Sequence, residues 1–300
     1  MEIAYLGEAE GGLKLLEAGI PMAAAGTTAS RGPAVAELRR RLARVGVGLL
    51  ARPDLRRAEA TRSLTGAGAS LLVCYLWDRM VPRTVLEAFP EGAVGYRPAL
   101  LPRHRGPAPC FWTLWEGDER AGVSIYRLDH GVDTGPLIAQ SSFPVHEGCT
   151  AGYLASLTDP LGLDMLTDVV ERWRETGLAP VERAQGEAGA TLAPSPEHDL
   201  LTIRWGWPAR RIARLVFAAS PSPGARWEMV GGETLRVIAA RARDGPSRAG
   251  LEPGRATRAE GGVVVGTGEG ALLLEAGHVG DGPLLEGSAL ALAVVDGRQR

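Results

Sequence analysis

Two short runs of chemically useful side chains stand close together in the chain: Arg97, Arg103, His104 and Arg105, then Asp129, His130 and Asp133. An arginine is a permanent planar cation whose forked donors suit a carboxylate or phosphate, and its pKa is too high for it to carry protons. Asp133 is the candidate base, or the ion-pair partner of Arg97. Histidine is the side chain that titrates near neutrality; His130, three residues before Asp133 on the same turn, is a candidate proton carrier, whereas His104 reads as a surface loop residue. Asp129 has the character of a turn-former that caps backbone amides. Cys110 sits where a helix begins, a place that can make a thiol nucleophilic, but a buried, unreactive cysteine is the ordinary outcome.

These residues need elements to hold them. Ala93–Tyr96 is a short apolar strand that runs into a Pro-punctuated loop, Arg97 to Pro109. A helix over Cys110–Glu116, a strand over Gly122–Leu128 and a Gly-rich loop to Gly135 follow. In open α/β sheets ligands bind beyond strand ends, so a cationic loop facing an acidic one makes a plausible site.

The run L-L-P-R-H-R-G-P-A-P (100–109), then L-W-E-G-D (114–118), G-V-S-I (122–125) and D-H-G-V-D-T-G-P-L-I-A-Q (129–140), resembles the signature of the 10-formyltetrahydrofolate-dependent formyltransferase family, which includes the methionyl-tRNA formyltransferases. The resemblance implies a Rossmann-like α/β domain with a mostly parallel sheet, followed by a smaller OB-like β-barrel. It implies 10-formyltetrahydrofolate as cofactor, with Leu76, Trp77, Met80, Val81, Leu100, Leu101 and Pro102 against the folate; for Trp77 the alternative is that it merely caps the sheet. It also implies a catalytic Asn, His and Asp. The Asp position is Asp133, but the Asn position holds Gly95 and the His position Arg97. Catalysis then falls to Asp133, Arg97 and His130, with Arg97 stabilising an oxyanion.

The rest of the chain bounds this reading. Three hundred residues with 45% hydrophobic content suffice for two domains, which we place at 1–185 and 199–300 with a Gly/Ala/Pro-rich linker at 186–198. Glu2–Leu6, Pro21–Ala25, Val47–Ala51 and Ser70–Tyr75 read as strands. Thr150–Arg174 reads as a long helix that Pro160 and Gly162 break or kink. After residue 200, an amphipathic helix over Ala209–Ala219 and closely spaced turns suggest a small barrel. Cys74, Cys110 and Cys149 are far apart with no spacing suited to zinc, so no metal is expected and a reduced, cytoplasmic setting fits. No signal peptide, membrane span or membrane partner is indicated.

A net charge of -2 gives no global pull toward nucleic acid. The turn Thr27–Gly32, where tRNA-formylating relatives carry a longer basic loop, holds only Arg31, and residues 201–300 carry thirteen Arg against ten Asp plus Glu. Arg204, Arg210, Arg211 and Arg214 read as a solvated helix face rather than a patch. These features argue against tRNA and for a small-molecule amine as the partner. The leading expectation is transfer of a formyl or small acyl unit to such an amine with an altered site. The alternatives are an inactive homologue that serves as a folate- or ligand-binding subunit, and the scaffold turned to another acyl transfer or to hydrolysis.

Overall fold

The computed structural model describes residues 1–229, 231–243 and 251–296. The first half builds seven strands: β1 (Ile3–Gly7), β2 (Met22–Thr27), β3 (Leu49–Ala51), β4 (Leu71–Tyr75), β5 (Ala93–Arg97), β6 (Arg120–Arg127) and β7 (Leu137–Pro144). Their order across the sheet is β3-β2-β1-β4-β5-β6-β7. Strands β1 to β5 run parallel, and β6 is antiparallel to β5.

Alternation explains why these strands are apolar throughout. Ile3, Tyr5, Leu71, Val73, Tyr75, Val94 and Tyr96 enter one core, while Ala4, Leu6, Leu72, Cys74 and Ala93 enter another on the opposite face. The first face is covered by α1 (Ala9–Glu17), α2 (Pro33–Ala43) and, further along the chain, the helix Ala151–Thr176, through Leu15, Leu38, Leu42, Leu166 and Val170. The second face is covered by α3 (Ala58–Thr65) and α4 (Arg83–Leu86), through Leu64, Val85 and Leu86. The helix α5 (Pro109–Glu116) precedes β6, and Ala151–Thr176 is α6. This is a Rossmann-like, mostly parallel sheet with helices on both sides.

The expected break in α6 does not occur: the helix runs from Ala151 to Thr176 through Pro160. Its backbone is anchored from the sheet, where the Tyr75 hydroxyl donates to the Asp159 carbonyl (3.0 Å) and the Tyr96 hydroxyl to Asp159 Oδ1 (2.7 Å). Gly162 allows this approach, since a Cβ there would lie 1.9 Å from Tyr96 Cε2.

The chain forms two compact units that interleave in sequence: 1–107, 121–143 and 157–192 in the first, and 108–120, 144–156 and 193–300 in the second. The second contains α7 (His198–Leu201), α8 (Ala209–Ala219), α9 (Gly287–Ala291) and strands β8 (Ala225–Glu228), β9 (Thr234–Arg243), β10 (Ala256–Ala259), β11 (Gly262–Gly266), β12 (Ala271–Val279) and β13 (Leu284–Glu286). These strands order as β10-β11-β12-β9-β8, with β13 also on β12, and the pairs are antiparallel. Helix α8 buries Ile212, Leu215 and Val216 and leaves its arginines outward. Among the described residues no helix is long and apolar enough to cross a membrane.

Candidate functional site

A cleft of about 570 Å³ opens beyond the carboxyl ends of β4 and β5 in the first unit. Sheet register sets its floor. Leu6, Cys74 and Gly95 form one row across β1, β4 and β5, and Tyr126 on β6 pairs with Gly95. Arg97, two residues beyond Gly95, shares the face. Because β5 and β6 are antiparallel, their carboxyl ends point apart, and the loop after β6 must double back over this face to deliver Asp133.

Asp133 is 9% exposed and held on three sides. The Tyr126 hydroxyl donates to Oδ1 (2.6 Å), the Gly106 amide donates to Oδ2 (2.8 Å), and Arg97 Nε lies 2.9 Å from Oδ2. The Arg97 contact is an ion pair without hydrogen-bond alignment, which leaves that buried Nε without a hydrogen-bond partner among the described residues. Burial and the adjacent Asp133 carboxylate push the Tyr126 phenol well above its ordinary range, so it stays a donor. Gln185 Nε2 fixes the loop by donating to the carbonyls of Asp133 and Gly135. Two non-glycine residues at the cleft, Leu76 (φ 50°) and Asp133 (φ 54°), occupy the left-handed region. Such backbone strain persists only where the surroundings over-determine it, and it concentrates at functional sites.

Leu76, Trp77, Met80 and Val81 all line the cleft, with Leu128 and Val132. Among the described residues the buried Trp77 indole Nε1 has no hydrogen-bond partner, and Arg79 Cζ lies 4.4 Å over the Trp77 ring. An apolar wall carrying an unsatisfied donor fits a flat heteroaromatic ring with acceptors at its edge.

Other expected site residues lie elsewhere. Leu100, Leu101 and Pro102 are not on the cleft lining; Leu101 is buried against Ala99, Tyr126 and Leu137, because the cis Leu101–Pro102 turn packs onto the sheet. His130 also lies off the lining, its half-exposed side chain with Nε2 3.8 Å from Glu87 Oε1, because the tight turn closed by Asp129 points successive side chains in different directions. There Asp129 Oδ1 accepts from the Gly131 amide and the Thr134 hydroxyl. His104 is no surface residue: it is 2% exposed, and its amide donates to Thr191 Oγ1. Arg105 is equally structural, paired with Gln185 and Glu187. Thus residues 185–191 tie down the loop that carries His104 and Arg105. Sequence reading missed Tyr126 and Glu8, both on the cleft lining; Tyr126 gets there by pairing with Gly95 across β5 and β6, a register no local signal gives.

In the second unit, Arg211 Cζ lies 4.4 Å over the Trp207 ring and 5.3 Å over Trp115, and Arg204 Cζ 5.5 Å over Trp207. Trp115, Pro208, Arg210, Arg211 and Arg214 line a recess of about 400 Å³. The arginines read as a dispersed face are a cluster interleaved with tryptophans.

The formyl transferase family matches residues 8–170, and the family described as formyl transferase, C-terminal domain, matches residues 197–291. Methionyl-tRNA formyltransferase of Anaeromyxobacter dehalogenans (strain 2CP-C) is 34% identical over 231 residues, covering 76% of this chain and 73% of that protein. HypX from Aquifex aeolicus, solved in complex with tetrahydrofolic acid, has a TM-score of 0.66 at 16% identity, over 98% of this chain and 47% of that one. The N-formyltransferase from Helicobacter canadensis, solved with folinic acid and dTDP-3-aminofucose, has a TM-score of 0.67 at 12% identity, over 92% of this chain and 99% of that one. The relatives named for tRNA overturn the expectation that tRNA is an unlikely partner. That expectation averaged charge over a hundred residues, whereas phosphates respond to local clusters such as Arg204, Arg210, Arg211 and Arg214. With both domain families matched in order along its length, this chain belongs to the formyl transferase family.

Proposed function

We propose that this protein transfers a formyl group from 10-formyltetrahydrofolate to an amine, and that the amine is carried by an aminoacyl-tRNA. The cleft carries the reading: it joins an apolar wall with an unsatisfied indole donor to a cation, Arg97, locked in place by Asp133. When bound there, the folate supplies an activated formyl carbon. Arg97 offers forked donors to the oxygen on which negative charge grows, a task for which each donor is worth about 2.7–4 kcal/mol. Asp133 holds Arg97 rather than taking protons, since both its oxygens are already engaged. The names of the 34%-identical relatives support the acceptor, and the Arg–Trp cluster has the stacking rings and cations that single-stranded RNA uses. The setting is cytoplasmic, and the second sheet serves as an OB-like domain.

Calorimetric titration with 5-formyltetrahydrofolate, followed by formylation assays on methionyl-tRNA, tests this. Micromolar binding and tRNA formylation are expected. Transfer to an amino sugar nucleotide instead would replace the acceptor with the small-molecule amine. Binding without turnover would favour the second reading, a folate-binding subunit, for which Gly95, with no side-chain donor, is the specific observation. Absence of folate binding would end the formyl-transfer reading.

A further inference from the structure

Formyl transfer to an amine releases a proton that the site must accept, and the residues discussed so far do not accept it. Arg97 has no proton to give up at usable pH, Asp133 has its oxygens engaged, and His130 is off the cleft lining. Four carboxylates line the cleft: Glu8, Asp78, Asp129 and Asp133. Asp78 pairs with Arg79, Asp129 closes its own turn, and Asp133 holds Arg97. Among the described residues the Glu8 carboxylate makes no hydrogen bond or ion pair.

Its position follows from the register that places Arg97. Glu8 follows β1 directly in an extended conformation (φ −70°, ψ 147°) and lines the same cleft as Arg97. Its amide donates to the Tyr75 carbonyl, which keeps it beside the end of β4. Strand β4 lies between β1 and β5, so Glu8, just past the end of β1, and Arg97, at the end of β5, flank the end of β4. They stand on either side of the β4 end, where Leu76 turns away at φ 50°. Two strand spacings separate their backbones, about 10 Å. That gap accommodates a reacting carbon and an amine between a cation and a carboxylate.

We propose that Glu8 is the proton acceptor of this site. The inference rests on the formyl-transfer reading above. Glu8 takes the proton the amine loses as the amine lone pair closes the new C–N bond. It returns that proton to the donor nitrogen, which keeps the electron pair of the bond that breaks, so no electron is gained or lost overall. Burial, with Glu10 on α1 and Asp159 on α6 nearby, raises the Glu8 carboxyl above its ordinary range, in the direction a base needs. The neighbouring Tyr5 and Tyr75 phenols, both pushed upward, remain neutral beside it.

The test compares wild type with Glu8→Gln and Glu8→Asp. Glu8→Gln should bind 5-formyltetrahydrofolate with unchanged affinity by calorimetry while turnover falls about 10²-fold or more, and Glu8→Asp should recover part of it. Activity of the wild type should rise with pH through the Glu8 titration, and this limb should vanish in Glu8→Gln. Carbon NMR of the Glu8 carboxyl should report a midpoint above ordinary glutamate without any assay of turnover. An active wild type with an equally active Glu8→Gln, or an ordinary NMR midpoint, overturns the proposal alone. A wild type that formylates no amine overturns the reading beneath it and the proposal together.

Discussion

Residue by residue, the cleft is held together by the contact between Arg97 and Asp133. With arginine at position 97, Asp133 gains a permanent cation 2.9 Å away and becomes an anchor. Tyr126 completes the arrangement through its 2.6 Å hydrogen bond. Tyr126→Phe leaves a buried acceptor short of a donor and should cost about 1–3 kcal/mol, read from urea midpoints; an unchanged midpoint would show that the hydroxyl contributes nothing. Arg97→Ala removes the counterion of a nearly buried carboxylate and should cost more, about 3 kcal/mol. Its folate affinity separates a structural from a binding role, since the anchoring account requires the apolar wall to survive. A third expectation concerns Asp159, whose carboxyl burial raises even though the Tyr96 hydroxyl works the other way. A carboxyl raised on folding holds its proton more tightly in the native state, so its contribution to stability falls as pH climbs through the folded value. Asp159→Asn keeps an acceptor for Tyr96 and removes this loss, so its stability relative to wild type should grow from about pH 4 to about pH 7. A shrinking difference would refute burial as the cause.

At the scale of elements, position along a strand decides which side chains meet. The row Leu6–Cys74–Gly95 exists because β1, β4 and β5 are adjacent and parallel, although the three residues are far apart in sequence. Helix α6 is seated by a single glycine against Tyr96. Gly162→Ala gains about 1 kcal/mol of helix propensity, but its Cβ would fall 1.9 Å from the ring, and overpacking typically costs about 1–3 kcal/mol. A net drop in thermal midpoint is expected, and a rise would mean that the ring moves freely.

For the whole molecule, the interleaving of units has a consequence for cutting the chain. Residues 108–120 and 144–156 belong to the second unit, and α5 packs against α8 there. A chain ended at residue 185 would strand Phe111 and Leu114 without that partner, although both are buried in the full chain. It should be less soluble and bind an apolar dye, whereas a monodisperse, cooperatively unfolding fragment would show that 1–185 folds alone.

The sequence by itself determined the α/β class, nearly every strand of the first unit and the loop of Asp133, because alternating apolar runs and Gly/Pro punctuation are local signals. It also determined that glycine stands at position 95 and arginine at 97, where the resemblance implies asparagine and histidine, since that is a matter of residue identity. Only the tertiary structure decided that Asp133 is held by Tyr126 and Gly106, that His130 stays off the cleft, that His104 is buried, and that Glu8 lines the same cleft as Arg97. Those facts depend on strand register and on how a loop folds back, which arise from contacts between distant parts of the chain.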